Sequence, residues 1–328
     1  MTLPRHAFFR GRIVPYSQAR VGVLTHALNY GTAAFAGIRA YWSAEEEDLL
    51  VFRLADHIRR FTQSARLLGF ELTESPDDLQ TAVLELLRTE LYREDCYIRP
   101  LVFAGDESIG VRLHNLTPEV SIVSFPYGRY LENDEALHAT ISSWRRIDDN
   151  MIPARGKIAG AYVNSALAKT DAQRAGFDEP ILLNADGHVA EASAANLFLV
   201  HNGVAATPPV TDNVLEGISR RTVLELLPRE LGISAAERSI DRTELLVADE
   251  IFLCGTGAQI AAVTRIDHRP VGSGRMGQVV ASLRKLFFDI VRGRRKEYRR
   301  WCTPVYAGVR DTRRTESSVE TPLVHSRD

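Results

Sequence analysis

The spacing of hydrophobic residues along the first half of the chain predicts short strands and two helices. Apolar residues in 8–38 come in short runs that glycine and proline interrupt, which is typical of strands. Across 56–69 they return every three or four residues, as on one face of an amphipathic helix. A second helix is expected over 75–91, because Ser, Pro and two Asp residues at its start supply an N-cap and an acidic first turn. The apolar runs 97–103 and 120–125 predict buried strands.

The second half of the chain combines helical patterns with hairpin signals. A strand near 139–144 and a helix over about 161–175 flank a loop rich in glycine. Asp186-Gly187 and Asn202-Gly203 each separate two apolar runs, and such pairs favour turns with positive backbone φ. Successive hairpins predict an antiparallel sheet or a barrel. Two more helices are predicted at 218–231 and 278–291, with a strand at 250–253 between them.

The length of the chain and a polar stretch near its middle indicate two domains. Its 328 residues, 45% of them hydrophobic, can fill two cores of ordinary size. The polar stretch 128–138 is interpreted as the linker between them. We therefore expect an α+β protein with a smaller α/β domain at 1–127, a larger β-rich domain at 139–308, and a polar, disordered tail at 309–328.

The composition argues against several classes of partner. The formal net charge is −2 and both signs are mixed along the chain, so it has no electrostatic footprint for nucleic acid or a membrane surface. No apolar run approaches the roughly 18 to 20 residues that cross a bilayer, and the first residues lack the apolar core of a signal peptide. We expect a cytoplasmic protein with a small-molecule partner. Three distant cysteines, Cys96, Cys254 and Cys302, predict buried thiols rather than disulfides or a metal site.

Lysine is rare in this chain, since only 4 of its 40 basic residues are lysines. One of them, Lys157, lies in a glycine-rich loop where small neighbours let a flat ring approach the backbone. An amine in a partly desolvated site has a lowered pKa and can act as a nucleophile, which arginine cannot do. Genome base composition would explain the total number of lysines, and a solvated surface lysine is the alternative interpretation of Lys157.

A carboxylate and two turns could complement this amine. Glu191 lies among alanine and aliphatic residues, so its burial would require a cation, such as a protonated pyridine nitrogen; a solvent-exposed strand end is the alternative. Asn196 could brace the same loop. The segments 217–219 and 255–257 could present free backbone N–H groups to phosphate, although a plain cap or turn explains each taken singly.

Arginine residues could bind the remaining anionic groups. Arg60 could add a charge-assisted contact to phosphate, with Arg59 beside it as the competing candidate. Tyr97 and Arg99 are two residues apart in a predicted strand and so project to the same face, where they would suit a substrate carboxylate. An arginine extending from a sheet edge is the alternative. The chain thus has candidates for the amine, the carboxylate, the phosphate cup and the hydrogen-bond donor of a pyridoxal phosphate site.

Taken together, these segments resemble the fold-type IV pyridoxal phosphate enzymes, and most closely the branched-chain amino acid aminotransferases. The resemblance runs from about Arg10 to Tyr306. Eight motifs in the expected order carry it and are far more specific together than any one alone. They are THALNYGTAAFAGIR, DHIRRFTQSARLL, YIRPLVF, SSWRRIDDNMIPARGKIAGAYVNSALA, GHVAEASAANLFLV, TPPVTDNVLEGISRRTV, VADEIFLCGTGAQIAAV and GSGRMG.

The resemblance implies how pyridoxal 5'-phosphate is held. Lys157 matches the catalytic Schiff-base lysine, Glu191 the partner of the pyridine nitrogen, and Tyr162 the residue near the ring oxygen. Arg60, not Arg59, matches the phosphate-binding arginine. The implied phosphate cup consists of Gly217, Ile218, Ser219 and Thr256. The larger domain is then expected to be a pseudo-barrel.

The resemblance also implies a substrate site. Tyr97 and the turn of Thr256 and Gly257, with Ala258 after it, would face the α-carboxylate. Tyr30, Arg99 and the backbone of Val111 would receive the distal carboxylate of glutamate. The residues implied for the apolar side-chain pocket are Phe35, Gly37, Tyr127, Tyr130 and Tyr162.

The resemblance predicts transamination between a branched-chain L-amino acid and 2-oxoglutarate by a homodimer or higher homo-oligomer. Ala36 and Ala195 stand where acidic residues are expected, and Tyr127 where tryptophan is common, so the side-chain preference is open. Alternatives of the same fold are a D-amino acid or (R)-amine transaminase and an aminodeoxychorismate lyase, against which the YIRP motif argues. A binding module without catalysis is the non-enzymatic alternative, and the retained lysine, glutamate and phosphate residues argue against it.

Overall fold

The computed structural model describes residues 3–128 and 133–307. Two expectations, the contribution of Tyr130 to the substrate pocket and the disordered tail at 309–328, lie outside these residues. The strands are β1 His6–Phe9, β2 Arg12–Pro15, β3 Ala33–Phe35, β4 Ile38–Ser43, β5 Asp48–Phe52, β6 Cys96–Ala104, β7 Pro118–Pro126, β8 Leu137–Arg145, β9 Glu179–Leu183, β10 Val189–Ala192, β11 Asn196–His201, β12 Val204–Thr207, β13 Ala235–Glu237, β14 Glu250–Gly255, β15 Gln259–Ile266, β16 Arg269–Pro270 and β17 Cys302–Pro304. The helices are α1 His26–Tyr30, α2 Leu54–Leu67, α3 Pro76–Glu90, α4 Tyr162–Arg174, α5 Ile218–Glu230 and α6 Gln278–Val291.

The first sheet pairs its strands antiparallel and draws them mostly from the first half of the chain. Its order is β17-β5-β4-β6-β7-β1-β2, and β3 pairs with β6 as well. The late strand β17 returns to this sheet, with Cys302 opposite Phe52. The linker at 128–138 remains a prediction, and β8 begins at Leu137 within it.

The second sheet has the order β10-β9-β8-β15-β14-β11-β12-β13, with β16 beside β15. It is mixed, not antiparallel throughout, because β8 is parallel to both β9 and β15, and β12 is parallel to β13. The helix α4 separates β8 from β9, and α5 separates β12 from β13, so in each case the chain crosses over and returns in the same direction. The hairpin signals alone could not show these crossovers. The predicted α+β class is confirmed.

Local signals predicted several elements closely. Asp78 N–H donates to Ser75 Oγ at 3.2 Å while Ser75 N–H donates to Asp78 Oδ2 at 2.9 Å, which is the reciprocal capping box of α3. Asn202 and Gly203 have φ values of 50° and 76°, as the turn between β11 and β12 requires. The helix predicted at 278–291 is α6 with the same bounds.

Two parts of the first half differ from the prediction. The strand-like segment 8–38 contains the short helix α1, which ends at Gly31 with a φ of 68°; five residues are too few to show a helical period. Strands β4 and β5 were not predicted. All five residues of β5 are buried, so the strand lacks the alternation of a half-exposed one.

Both faces of β5 are buried because the strand lies between two hydrophobic cores. Leu49 and Val51 pack into a core with α2 and α3, whereas Leu50 and Phe52 pack into a second core with α5 and α6. The second core also holds side chains of β11 and β14, so α5 and α6 lie between the two sheets. The cysteines Cys96, Cys254 and Cys302 are buried free thiols, as predicted. Among the described residues, no helix combines the length and the apolar character needed to cross a membrane.

Candidate active site

Lys157 lies where the second half of the chain touches the first sheet. Its backbone N–H donates to Ser64 Oγ of α2 at 3.0 Å, and its carbonyl accepts from the N–H of Phe35 in β3 at 3.0 Å. The next residue, Ile158, is buried in the core that α2 and α3 share with the first sheet. Both backbone polar groups and the neighbouring side chain therefore hold Lys157 in one position.

The amine of Lys157 is set among aromatic rings. Lys157 Nζ donates to Tyr162 Oη at 2.6 Å and lies 5.2 Å from the centre of the Phe35 ring. Burial, together with the nearby Arg60 cation, lowers the pKa of Lys157 to about 7. Burial likewise raises the pKa of Tyr162 to about 12, so this phenol stays protonated at neutral pH. The amine is thus present in both protonation states near neutrality.

Glu191 in β10 is a buried carboxylate held by several donors. Its Oε1 forms an ion pair with Arg146 Nη2 at 3.0 Å. Its Oε2 accepts from Asn196 Nδ2 at 3.0 Å and from the Leu215 N–H at 3.2 Å. Burial raises the pKa of Glu191, and the Arg146 cation opposes that rise. Asn196 therefore braces this site, as its position in the sequence suggested.

The start of α5 and the side chain of Arg60 form a concave, cationic corner. Gly217 is the N-cap of α5, and Ile218 and Ser219 are its first two residues, whose N–H groups precede the helical hydrogen-bond ladder. A Cβ on Gly217 would overlap Asn196 Oδ1, so only glycine leaves both groups in place. Arg60 is buried and donates to the carbonyl of Glu216 at 3.0 Å.

Arg59 and Arg60 differ in solvent exposure and in ion-pair partners. The Arg59 side chain is 63% exposed and pairs with Asp56 at 3.3 Å on the outer side of α2. Both side chains line the cavity beside Gly217 and Ile218, but Arg60 is the buried one and, within the described part of the chain, has no carboxylate at ion-pair distance. The arrangement favours Arg60 as the anion-binding residue of the two.

Tyr97 and Arg99 do share a face of β6, as their spacing predicted. Arg99 Nη2 donates to Tyr97 Oη at 3.1 Å, and the guanidinium lies 4.6 Å from the centre of the Phe35 ring. A Cβ on Gly37 would overlap Tyr97 Oη, which explains why glycine follows Phe35 and Ala36. Tyr127 extends the cluster, with its ring 5.4 Å from that of Tyr97.

The turn of Thr256, Gly257 and Ala258 joins β14 to β15 and is tied to the first sheet by Arg39. Arg39 is 3% exposed, and its Nε donates to the carbonyl of Thr256 at 3.0 Å. Its Nη2 donates to the carbonyl of Gly128 at 2.7 Å. Arg39 was not among the residues expected from the sequence, because its partners are backbone carbonyls more than 80 residues away.

Tyr30 and Val111 make other contacts within this chain. Tyr30 Oη accepts from the N–H of Gly110 at 3.2 Å, and its ring lies 4.6 Å from that of His26. Val111 is 91% exposed. The described structure therefore assembles Phe35, Tyr97 and Arg99 around Lys157 but leaves Tyr30 and Val111 at the surface.

Three further side chains near the site were not predicted from the sequence. Ser64 holds the Lys157 backbone, and Arg146 pairs with Glu191. His57 is 2% exposed, and burial, together with the Arg60 and Lys157 cations, holds its pKa well below the ordinary value, so it is neutral at pH 7. The alternation of buried positions along α2 could have drawn attention to His57 and Ser64, whereas no local signal marked Arg146.

The two alanines that depart from the family pattern face apolar surroundings. Ala36, between β3 and β4, is 1% exposed and packs in the first core. Ala195 is 9% exposed and packs in the core of the second sheet. Each alanine is therefore packed in an apolar core, where an acidic side chain would lose its contact with water.

Comparison with known proteins is consistent across sequence and structure. The family model described as amino-transferase class IV matches residues 35–266. A probable branched-chain-amino-acid aminotransferase of Aquifex aeolicus is 47% identical over 300 residues, covering 92% of this chain and 96% of that relative.

Solved structures show the same similarity. A branched-chain aminotransferase from Thermoproteus uzoniensis with norvaline is 40% identical with a TM-score of 0.88, covering 92% of this chain and 100% of its own. A branched-chain amino acid aminotransferase from Thermobaculum terrenum in its pyridoxal phosphate form is 38% identical with a TM-score of 0.89, covering 93% and 99%.

The environment of Lys157 predicts the pH dependence of its reactivity. Because the folded-state pKa is lowered to about 7, the amine is mostly protonated below that pH and mostly free above it. Modification of Lys157 in the cofactor-free protein by a small amine-reactive reagent, followed by peptide mapping, should accelerate with pH and reach half its maximal rate near pH 7. A midpoint above pH 9 would show that the amine is not desolvated. The exposed Lys285 in the same digest is the internal control.

Proposed function

This chain belongs to the class IV aminotransferase family, and we propose that it uses pyridoxal 5'-phosphate to exchange amino groups between branched-chain L-amino acids and 2-oxoglutarate. The observation that carries the proposal is the Lys157 amine, with a pKa of about 7 and a hydrogen bond to Tyr162, placed among Arg60, Glu191 and Arg99. Similarity to branched-chain aminotransferases supports branched-chain substrates.

The residues present fit pyridoxal phosphate. Glu191 is a buried carboxylate suited to a protonated ring nitrogen, and Arg60 is a buried cation with no carboxylate partner among the described residues. The free N–H groups at the start of α5 and the space kept open by Gly217 suit a phosphate group. Thr256 is proposed to complete this cup. When bound, the cofactor supplies an electrophilic carbonyl and a ring that withdraws electrons from the substrate.

Lys157 is proposed to carry the proton in the reaction. Near neutral pH its Nζ can take a proton from the α-carbon of the amino acid and give it up again, since neither form is strongly favoured. Tyr162 Oη orients the amine, while Ser64 and Phe35 hold its backbone. Glu191 would stabilise the protonated ring nitrogen of the cofactor. That positive charge in turn stabilises the negative charge that develops on the substrate.

The substrate pocket is proposed to accept both an aliphatic side chain and a carboxylate. Tyr97 and the turn of Thr256, Gly257 and Ala258, held by Arg39, would bind the α-carboxylate. Arg99 would bind the distal carboxylate of 2-oxoglutarate, and the rings of Phe35, Tyr127 and Tyr162 would contact an aliphatic side chain. The Arg99 guanidinium already lies over the Phe35 ring, so polar and apolar surfaces meet at one place.

A homodimer is proposed to complete this pocket. Tyr30 and Val111 belong to a surface that exposes many apolar side chains for a monomer. These side chains are Val21, Val23, Leu24, Leu28, Ile109, Val111 and Leu113. If a second copy covers this surface, Tyr30 and Val111 of each subunit would lie near the pocket of the other subunit. The buried free thiols agree with the cytoplasmic location that we also propose.

The function is tested with a panel of amino donors of both chiralities, each with 2-oxoglutarate. We expect turnover of L-leucine, L-isoleucine and L-valine, and a visible absorbance band from the bound cofactor. Lys157→Ala should lose both the band and at least about 10³-fold in activity, because it removes the group that moves the proton. Lys285→Ala, at an exposed position of α6, is the matched control and should retain both. Turnover of D-amino acids or amines alone would reject the assignment.

Arg99 should discriminate between the two substrate classes. Arg99→Leu is expected to reduce kcat/KM for 2-oxoglutarate about 30-fold, corresponding to about 2 kcal/mol for a lost charge-assisted contact. The change in kcat/KM for L-leucine should be several-fold smaller, because its side chain has no carboxylate. The exposed Arg66 at the end of α2 provides a control as Arg66→Leu. Equal losses for both substrates would contradict the proposed role.

The dimer is tested by subunit complementation. Chains carrying Lys157→Ala and chains carrying Tyr30→Ala should each be impaired alone. If the partner subunit supplies Tyr30, their heterodimer contains one site with both native residues, so co-expression should restore activity above that of either variant. A mixture that shows only the average of the two variants, although heterodimers form, would place Tyr30 in the same subunit's site.

A further inference from the structure

Arg146 lies directly behind the carboxylate of Glu191. It follows β8, and its N–H donates to the carbonyl of Leu183 at 2.8 Å, which continues the pairing with β9. Its Nε donates to the carbonyl of Asn213 at 3.0 Å, and its Nη2 lies 3.0 Å from Glu191 Oε1. The side chains of Arg146 and Glu191 are 11% and 8% exposed. The guanidinium is therefore fixed at its backbone, at Nε and at Nη2.

The donors around Glu191 divide unevenly between its two oxygens. Oε2 accepts from Asn196 Nδ2 and from the Leu215 N–H. Oε1 has Arg146 Nη2 as its one donor among the described residues. Because each carboxylate oxygen offers about two lone-pair positions, Oε1 can accept one more hydrogen bond. The geometry makes Oε1 the oxygen that remains free for a ring N–H.

The charge state of Glu191 depends on the groups that face it. The cations are Arg146, Lys157 and Arg60, on three different segments of the chain. Tyr162 and Cys254 also interact electrostatically with Glu191. Burial raises the pKa of each above its ordinary value, so both are neutral at pH 7. Arg146 is the cation in direct contact with Glu191, whereas Lys157 and Arg60 are expected to be engaged with the cofactor and its phosphate.

We propose that Arg146 is a positioning residue that keeps Glu191 ionised and leaves Oε1 free to hold the protonated ring nitrogen. The inference rests on the proposed function, since it concerns how this chain binds pyridoxal phosphate. Without Arg146, a carboxyl group buried at this depth would favour its neutral form and could no longer stabilise a positive ring nitrogen. The ion pair with Arg146 avoids that loss.

Arginine suits this role better than lysine. Its planar fork reaches the carbonyl of Asn213 and the Glu191 carboxylate at the same time, and it stays charged when buried. The adjacent Arg145 is exposed and donates to the carbonyl of Asn184 at 3.3 Å, away from Glu191. Arg145 therefore provides a matched control with the same side chain and nearly the same position.

The test compares how tightly cofactor-free wild-type, Arg146→Met, Arg146→Lys and Arg145→Met proteins bind pyridoxal phosphate as pH changes. Arg146→Met should bind about tenfold more weakly than wild type at pH 7, and the ratio should approach one as pH rises and Glu191 ionises. Lys157 titrates in all of these proteins, so its effect cancels in the ratio. Arg146→Lys should recover most of the affinity, and Arg145→Met should match wild type.

The pH dependence of kcat provides a second measurement. In Arg146→Met, kcat should fall at the acidic side and recover at higher pH, because protonation of Glu191 removes the stabilising negative charge. In a Glu191→Gln background, Arg146→Met should no longer add any pH dependence, since residue 191 cannot ionise. Circular dichroism checks that each variant folds, and Arg146→Gln, which removes the charge but keeps a polar side chain, carries the test if Arg146→Met does not fold.

Three results would overturn the inference. One is an Arg146→Met protein with wild-type affinity at every pH. Another is a loss of affinity by the same factor at all pH values, as a purely structural role predicts. The third is a pH dependence that persists in the Glu191→Gln background. A wild-type protein that neither binds pyridoxal phosphate nor transaminates would instead reject the proposed function, so the two failures are distinguishable.

Discussion

The site depends on how the backbone of Lys157 is held between the two halves of the chain. Its N–H donates to Ser64 and its carbonyl accepts from Phe35, both in the first half of the chain, while its amine donates to Tyr162 of α4. Lys157 therefore cannot move without disturbing the contact between α2, β3 and its own loop. The same contact desolvates the amine and brings its pKa close to neutrality, which suits the proton transfer proposed for Lys157.

The balance of buried charge explains what the site is suited to bind. Among the described residues, Lys157, Arg60 and Arg146 face one carboxylate, Glu191, and the nearby His57 is held neutral. These buried cations favour the binding of anionic ligands, because charges attract more strongly where water is excluded. A phosphate group and substrate carboxylates would supply the missing negative charge. Excess positive charge also keeps the amine of Lys157 from remaining fully protonated.

Two glycines show how closely the polar groups are fitted. The place of a Cβ at Gly37 is occupied by Tyr97 Oη, and that at Gly217 by Asn196 Oδ1. In each case a side chain of the site uses the space that any larger residue would fill. These glycines are therefore required by packing against a functional group, and not by a left-handed backbone, since neither has a positive φ.

The sequence by itself determined the features that depend on near neighbours. The capping box at Ser75, the turn at Asn202-Gly203 and the bounds of α6 follow from interactions within a few residues, and ordered motifs made Lys157 and Glu191 the candidates for the site. Only the tertiary structure decided which of Arg59 and Arg60 is buried, that Arg146 supports Glu191, and that β8 lies parallel to β9. These depend on contacts between segments tens of residues apart, and no local pattern of polarity or backbone preference encodes which distant group a side chain will meet.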